Sequence, residues 1–220
     1  MPPTHTPRPE KARAIGQAAT RVFGRDGYTR ASIDAIAKEA GVSTRTIYNH
    51  FPEGKAQLFA EVIRFTSAQV ARTHIDLIDR HLGRRSVDLE SDLAGLALDL
   101  AASATQEEVA PHFALVRQII AEAEHLPPDV LAEWRRIGPG SVGRALADRL
   151  ADLSSRGLLD VPDPALAARH FLQLTSAELT QRSFYGVFPV SDAEAETVVA
   201  AGVHAFLRVY APAKTRVETA

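Results

Sequence analysis

The sequence predicts an all-α fold, and three observations carry that prediction. Nearly every patterned segment spaces its apolar residues at offsets of three, four and seven, while none alternates convincingly with period two. Side chains that cap helix starts recur just before those segments. Glycine and proline fall between them, where helices stop. Of the 220 residues, 45% are hydrophobic and 24% charged, the composition of a globular chain. With no cysteine, disulfide frameworks and thiolate metal sites are excluded. No stretch approaches the ~20 apolar residues that span a bilayer. The opening "MPPTHTPRPEKAR" lacks the apolar core of a signal peptide, so the expected location is cytoplasmic.

The elements follow in order. Residues 1–8 read as a disordered arm. From Pro9 to Arg25, the residues Ala12, Ile15, Ala19, Val22 and Phe23 share a helix face, and "GRDGY" is expected to stop it. A short helix from about Ser32 to Ala40 places Ile33, Ile36, Ala37 and Ala40 on one side, with Ser32 as N-cap. The turn "AGV" leads into "STRTIYNHF", and a long helix runs from Lys55 to about His81. Ser86 is expected to cap a helix to about Ser103, and Thr105 with Glu108 to open another through Glu124. "PPD" at 127–129 starts a segment that "GPG" at 138–140 interrupts and Gly157 ends. Asp163 before Pro164 is a strong start signal, and Ser191 with Glu194 opens a last helix to about Tyr210. That makes about nine helices, divided into a helix-turn-helix module (9–54), a helical body (55–212) and a frayed tail (213–220).

Two short helices around a glycine-bearing turn are the helix-turn-helix plan. With Ile47 facing inward and 100° per residue, Phe51 returns to within ~40° of it, so both can pack. Arg45 and Asn49 then point away from the core, flanked by Thr46 and Tyr48. Such a face, cleared of apolar bulk and rich in donors and acceptors, suits a major groove whose base edges present donors, acceptors and thymine methyls. By reach, Arg45 is suited to guanine, Thr46 and Tyr48 to base edges or methyls, and Thr44 stands at the helix start. Asn49 and His50 lie toward phosphate. Lys55 and Ser32, each at a helix N-terminus that already favours an anion, are further phosphate candidates. Charge agrees. Residues 1–55 hold nine of the 25 basic and five of the 27 acidic residues, a surplus of +4. The remainder holds 16 basic and 22 acidic, or −6, a basic module on an acidic body.

The run "AATRVFGRDGYTRASIDAIAKEAGVSTRTIYNHFPEGKAQLF", within residues 11–62, resembles the TetR family of bacterial transcriptional regulators. Phe23, Gly27 and Tyr28, then "IAKEAGVS", "TIYNHF" and a lysine, fall in the family's order. The resemblance implies that Thr44, Arg45, Thr46 and Tyr48 read bases and that Asn49, His50 and Lys55 meet phosphate. It further implies a homodimer on a double-stranded DNA operator and repression relieved by a small-molecule effector. In "FPEGKAQL" a glycine lengthens the usual link to the lysine by one residue. The body is similar to the AefR-like subgroup.

For pairing, Val199, Val203, Phe206 and Tyr210 form an apolar seam with Gly202 permitting close approach, and Phe171, Leu172, Leu174 and Leu179 cover more than one face. These residues are expected at the dimer interface. A largely apolar effector pocket is expected from among Phe65, Gln69, Phe113, Arg117 and Trp134. His74 and His81, ~10 Å apart along one helix, read as solvated surface, so no metal site and no cofactor is expected. No nucleophile elbow, phosphate loop or zinc-protease helix appears, which disfavours an enzyme. The alternative is a scaffold of the same family acting as a protein-interaction adaptor without a small ligand.

Overall fold

The computed structural model describes residues 8–83 and 88–212. Among them lie eleven α-helical segments, one 3-10 turn and no strand. In chain order these are α1 (Arg8–Arg30), α2 (Ile33–Ala40), α3 (Thr44–His50), α4 (Lys55–Leu82), α5 (Leu89–Ser103) and α6 (Ala110–Ala121). After the 3-10 turn Ala123–His125 come α7 (Pro128–Ile137), α8 (Pro139–Ser155), α9 (Pro164–Leu174), α10 (Ser176–Arg182) and α11 (Asp192–Tyr210). A single residue separates α7 from α8 and α9 from α10. Counting each broken run once gives the nine helices of the sequence reading. The expected arm (1–8, apart from Arg8) and tail (213–220), with the Ser86 cap, fall outside the described residues.

Local chemistry explains where elements start and stop. Asp88, Asp163 and Ser191 cap α5, α9 and α11, each accepting from the backbone N–H three residues on. Gly27, at φ 76°, interrupts α1 where "GRDGY" is expected to stop it, and a short turn beyond the kink, with the Ala31 N–H on the Gly27 carbonyl at 3.2 Å, runs to Arg30. One expectation needs correcting. Further on, no helix opens at Thr105. The Thr105 hydroxyl donates back to the Ala102 carbonyl at 2.9 Å, closing the end of α5, and α6 begins only at Ala110.

The chain forms two compact units whose division does not follow the expected boundary at Lys55. Of the described residues, one unit contains those up to Ala68 together with Pro111–Arg135, and the other those of Gln69–Ala110 and from Arg136 onward. The first unit therefore includes the start of α4 and most of α6 and α7 as well as α1–α3. Its core joins Ile15, Val22, Phe23, Ile36, Ile47 and Leu58 with Leu115, Ile119 and Val130. The Phe23 and Phe59 rings meet edge to face with centroids 4.9 Å apart. Such a pair is worth about 0.5–1.5 kcal/mol beyond its area.

The second unit buries Ile78 and Leu82 of α4 against α5, α8, α9 and α11. Here the proposed dimer seam needs correcting. Phe171, Leu179, Val199, Val203, Phe206 and Tyr210 are all buried within this unit, and Leu172 is partly buried against the same cluster. The Phe206 ring lies 5.5 Å from Phe171 and 4.7 Å from Tyr210. Gly202 does permit a close approach, but an intramolecular one. A Cβ there would overlap the Leu174 carbonyl at the α9–α10 break. The covered faces of these helices are satisfied by their own chain, whereas Leu174, from the same expected set, stays exposed.

His74 and His81 also depart from the solvated reading. On α4 they meet α5, His74 Nε2 bonding Ser103 Oγ at 2.7 Å and His81 Nε2 bonding Asp99 Oδ2 at 2.8 Å. Because the Ser103 hydroxyl donates to the Leu100 carbonyl at 2.7 Å, it accepts from His74, whose ring nitrogen is the donor. Burial lowers the His74 pKa to about 4.

Candidate nucleic-acid interface

The reading head is built from caps. The Ser32 Oγ accepts from the Ala35 N–H at 3.1 Å and starts α2. Gly41, left-handed at φ 64°, ends it, and the Val42 N–H closes on the Ala37 carbonyl at 3.0 Å. This is the Schellman pattern, which satisfies carbonyls left over at a helix end. Ser43 then caps α3, accepting from the Thr46 N–H at 3.2 Å. With three residues between α2 and α3, the turn has the length of a helix-turn-helix.

Ile47 is fully buried and Phe51 partly buried against the same core. These two anchors fix the rotation of α3. As helical geometry requires, Arg45, Tyr48 and Asn49 are exposed and Thr44, Thr46 and His50 are partly exposed. Arg45 offers a fork of N–H donors on the side away from Ile47. The Thr46 hydroxyl lies 2.9 Å from Ser43 Oγ, so its hydrogen bonding belongs to the cap. Tyr48 is 50% exposed, and its ring lies over Gly54. Gly54 has φ +71°, and a Cβ there would stand 3.2 Å from the ring. The extra glycine of "FPEGK" thus provides both the backbone bend and the room for Tyr48.

Ser32 is exposed at the start of α2, its oxygen occupied by the cap. Lys55 requires a correction. Its ammonium donates to the carbonyls of Tyr28 at 2.9 Å, Thr29 at 3.3 Å and Ala31 at 3.1 Å. It also stands 4.7 Å from the centroid of the Tyr28 ring. An ammonium has three donors, and all three are directed to the end of α1, where unpaired carbonyls and the helix dipole attract a cation. None is left for a phosphate in this arrangement.

A second group at the same place gave no local sequence signal. Glu122, just after α6, accepts from the N–H groups of Tyr28 at 2.7 Å and Thr29 at 3.1 Å through one carboxylate oxygen. The kink at Gly27 frees these amides, and a Cβ at Gly27 would collide with that carboxylate.

The effector candidates differ in their exposure. Phe65 is 63% exposed, while Phe113 is buried beside the His112 ring. Trp134 packs partly buried on the core of the first unit, and Gln69 belongs to the second. Arg117 is partly buried on α6. Among the described residues no group of three His, Cys, Asp or Glu is placed to hold a metal ion. No helix there is long and apolar enough to cross a membrane.

Comparison with known proteins agrees with this geometry. Residues 15–62 match the bacterial regulatory proteins of the tetR family, and residues 91–212 match the C-terminal domain of AefR-like transcriptional repressors. A TetR-family transcriptional regulator from Mesorhizobium loti MAFF303099 is 35% identical, with 94% of this chain and all of that one covered at a TM-score of 0.80. The Flavonoid-responsive Regulator FrrA is 29% identical, over 93% and 99% of the two chains, at a TM-score of 0.70. In Bacillus subtilis strain 168, the uncharacterized HTH-type transcriptional regulator YxaF is 31% identical over 87 residues, 40% of this chain. The HTH-type regulator LmrA of the same organism is 44% identical over 49 residues, 22% of this chain. The chain spans 41% and 26% of the lengths of these last two. A capped, outward-facing α3 and matches covering both parts of the chain lead to one conclusion: this protein belongs to the TetR family of DNA-binding transcriptional regulators and carries an AefR-like C-terminal domain.

Proposed function

We propose that the protein is a repressor that binds a two-fold operator as a homodimer and is released by a small, largely apolar effector. The observation that carries the DNA half is the exposed, polar α3 with Arg45 aimed away from its Ile47 anchor. Arg45 reads guanine, Tyr48 and the Thr44 and Thr46 methyls touch neighbouring base edges, and Asn49, His50 and the Ser32 hydroxyl meet phosphate. One such helix makes few contacts. Pairing two, ~34–36 Å or a multiple apart, is how helix-turn-helix proteins gain affinity.

With the former seam buried inside each protomer, pairing uses apolar groups that stay exposed. Leu166 and Leu174 on α9, and Phe184, Val187 and Phe188 after α10, are such groups. The likeness to FrrA supports an aromatic effector of the flavonoid kind, with Phe113 and Arg117, one turn apart on α6, as its first candidates. Its effect on operator binding is limited to its differential affinity for the two states of the protein. Fluorescence anisotropy on a duplex enriched from a randomised pool tests the whole reading. Tight binding that a flavonoid reverses is expected; tight binding that no flavonoid disturbs would remove the effector class and leave the DNA reading.

A further inference from the structure

We propose that Lys55 and Glu122 are positioning residues for duplex binding, clamping the peptide groups of Tyr28 and Thr29 from opposite sides and thereby fixing how α3 is presented. The inference rests on the DNA-binding reading. At Tyr28 and Thr29 both N–H groups are held by the Glu122 carboxylate and both carbonyls by the Lys55 ammonium. Two consecutive residues thus have their N–H groups taken by one charge and their carbonyls by the opposite one, and the Tyr28–Thr29 peptide unit is engaged by both. Charge-assisted hydrogen bonds are about twice as strong as neutral ones.

The position of the clamp matters more than its strength. Lys55 also bonds the Ala31 carbonyl, and Ala31 and Ser32 are all that join α1 to α2. On the other side, Lys55 is the first residue of α4, four residues beyond Phe51 at the end of α3. One ammonium therefore ties together the two ends of the segment that contains α2, the turn and α3. The residues between 31 and 55 form a loop whose closure is held at that atom. Glu122 then references this closure to the end of α6, through a contact to Tyr28 that spans 94 residues of sequence.

A hydrophobic core alone fixes α3 less closely than this, because apolar contacts are non-directional. Groove docking is sensitive to displacements of about 1 Å, the scale on which misplaced groups lose function. Lys55 thus contributes to DNA affinity without touching DNA, which sets it apart from a phosphate ligand. That difference is measurable. Each lysine–phosphate contact adds about one to the slope of log affinity against log salt. A clamp adds nothing to the slope.

The test uses the full-length chain with Lys55→Met, Lys55→Arg, Glu122→Ala and Glu122→Gln, each first checked for a cooperative melt. Duplex affinity is measured across a salt series, and exchange of the Tyr28 and Thr29 amides is followed by NMR in the DNA-free protein. Lys55→Met and Glu122→Ala are each expected to weaken binding ~10-fold with the salt slope unchanged, the loss of one to two charge-assisted hydrogen bonds. In Glu122→Ala the two amides exchange ~10-fold faster. Lys55→Arg, which keeps a donor fork, and Glu122→Gln, which keeps an acceptor, recover part of the loss.

A slope lowered by about one in Lys55→Met would make Lys55 a phosphate ligand and overturn the proposal. Unchanged affinity in both deletions, or unchanged amide exchange in Glu122→Ala, would overturn it too. If wild type prefers no duplex while the amides still lose protection, the DNA reading itself fails and the clamp is only structural. Should Lys55→Met or Glu122→Ala not fold, the slope of the uncharged Lys55→Gln and the amide exchange of Glu122→Gln decide by the same criteria.

Discussion

Helices α3 and α11 show the same kind of apolar spacing in sequence, yet they end in opposite situations. In α3, seven residues long, one side chain is fully buried and the polar remainder stays at the surface. In α11, nineteen residues long, Val199, Gly202, Val203, Phe206 and Tyr210 are all enclosed. Spacing reveals which face of a helix is covered. It does not reveal whether the cover is the same chain or another one. For α3 the informative side is the uncovered one, and for α11 the covered side is simply core.

The largest expected effect separates core from interface. Phe206→Ala is predicted to cost about 3–5 kcal/mol in denaturant unfolding, the usual range for a buried phenylalanine. A residue serving only a dimer interface would lower the association constant and leave a stable monomer. On the other side of the comparison, Arg45→Ala and Asn49→Ala are predicted to change folding stability by no more than about 0.5 kcal/mol, as exposed positions do. If either cost several times that, α3 would not be the free reading surface described.

Next in size is an acid effect in the second unit. His74 has a pKa of about 4 in the fold against about 6.5 unfolded. Protons therefore bind the unfolded chain more readily between these values. Stability from this group is complete above about pH 6.5 and falls toward pH 4, by up to about 3 kcal/mol. Thermal melts from pH 7.5 to 4.5 measure it, and His74→Gln should flatten that part of the profile. An unchanged profile would mean that His74 is not buried neutral. A small effect belongs to the exposed ion pair between Arg21 and Glu39, 2.8 Å apart. Arg21→Ala is predicted to cost under about 1 kcal/mol and less in high salt.

The reading head was legible in the sequence because its signals are local. The Ser43 cap, the Gly41 turn and the Ile47 anchor lie within seven residues of one another, and rotation about one helix does the rest. Lys55 was misread because spacing placed it correctly at a helix N-terminus but gave no sign that the carbonyls of α1 lie beside it. Glu122 was invisible, since its partners are 93 and 94 residues away. Thr105 offered a cap and its hydroxyl found a carbonyl behind it instead, a choice that depends on how α5 ends. The break at Thr175, where the side chain bonds the Phe171 carbonyl at 2.6 Å, likewise gave no local signal, and it lies where Gly202 of α11 meets the Leu174 carbonyl.

Duplex selection from a randomised pool, run in parallel on wild type and Arg45→Ala at one salt concentration, tests the outward α3 most directly. Wild type should enrich a two-fold site with guanine at a fixed place in each half. Arg45→Ala should keep weaker binding while losing that guanine, worth about 1–3 kcal/mol of discrimination. Identical enriched sequences from both proteins would contradict the account.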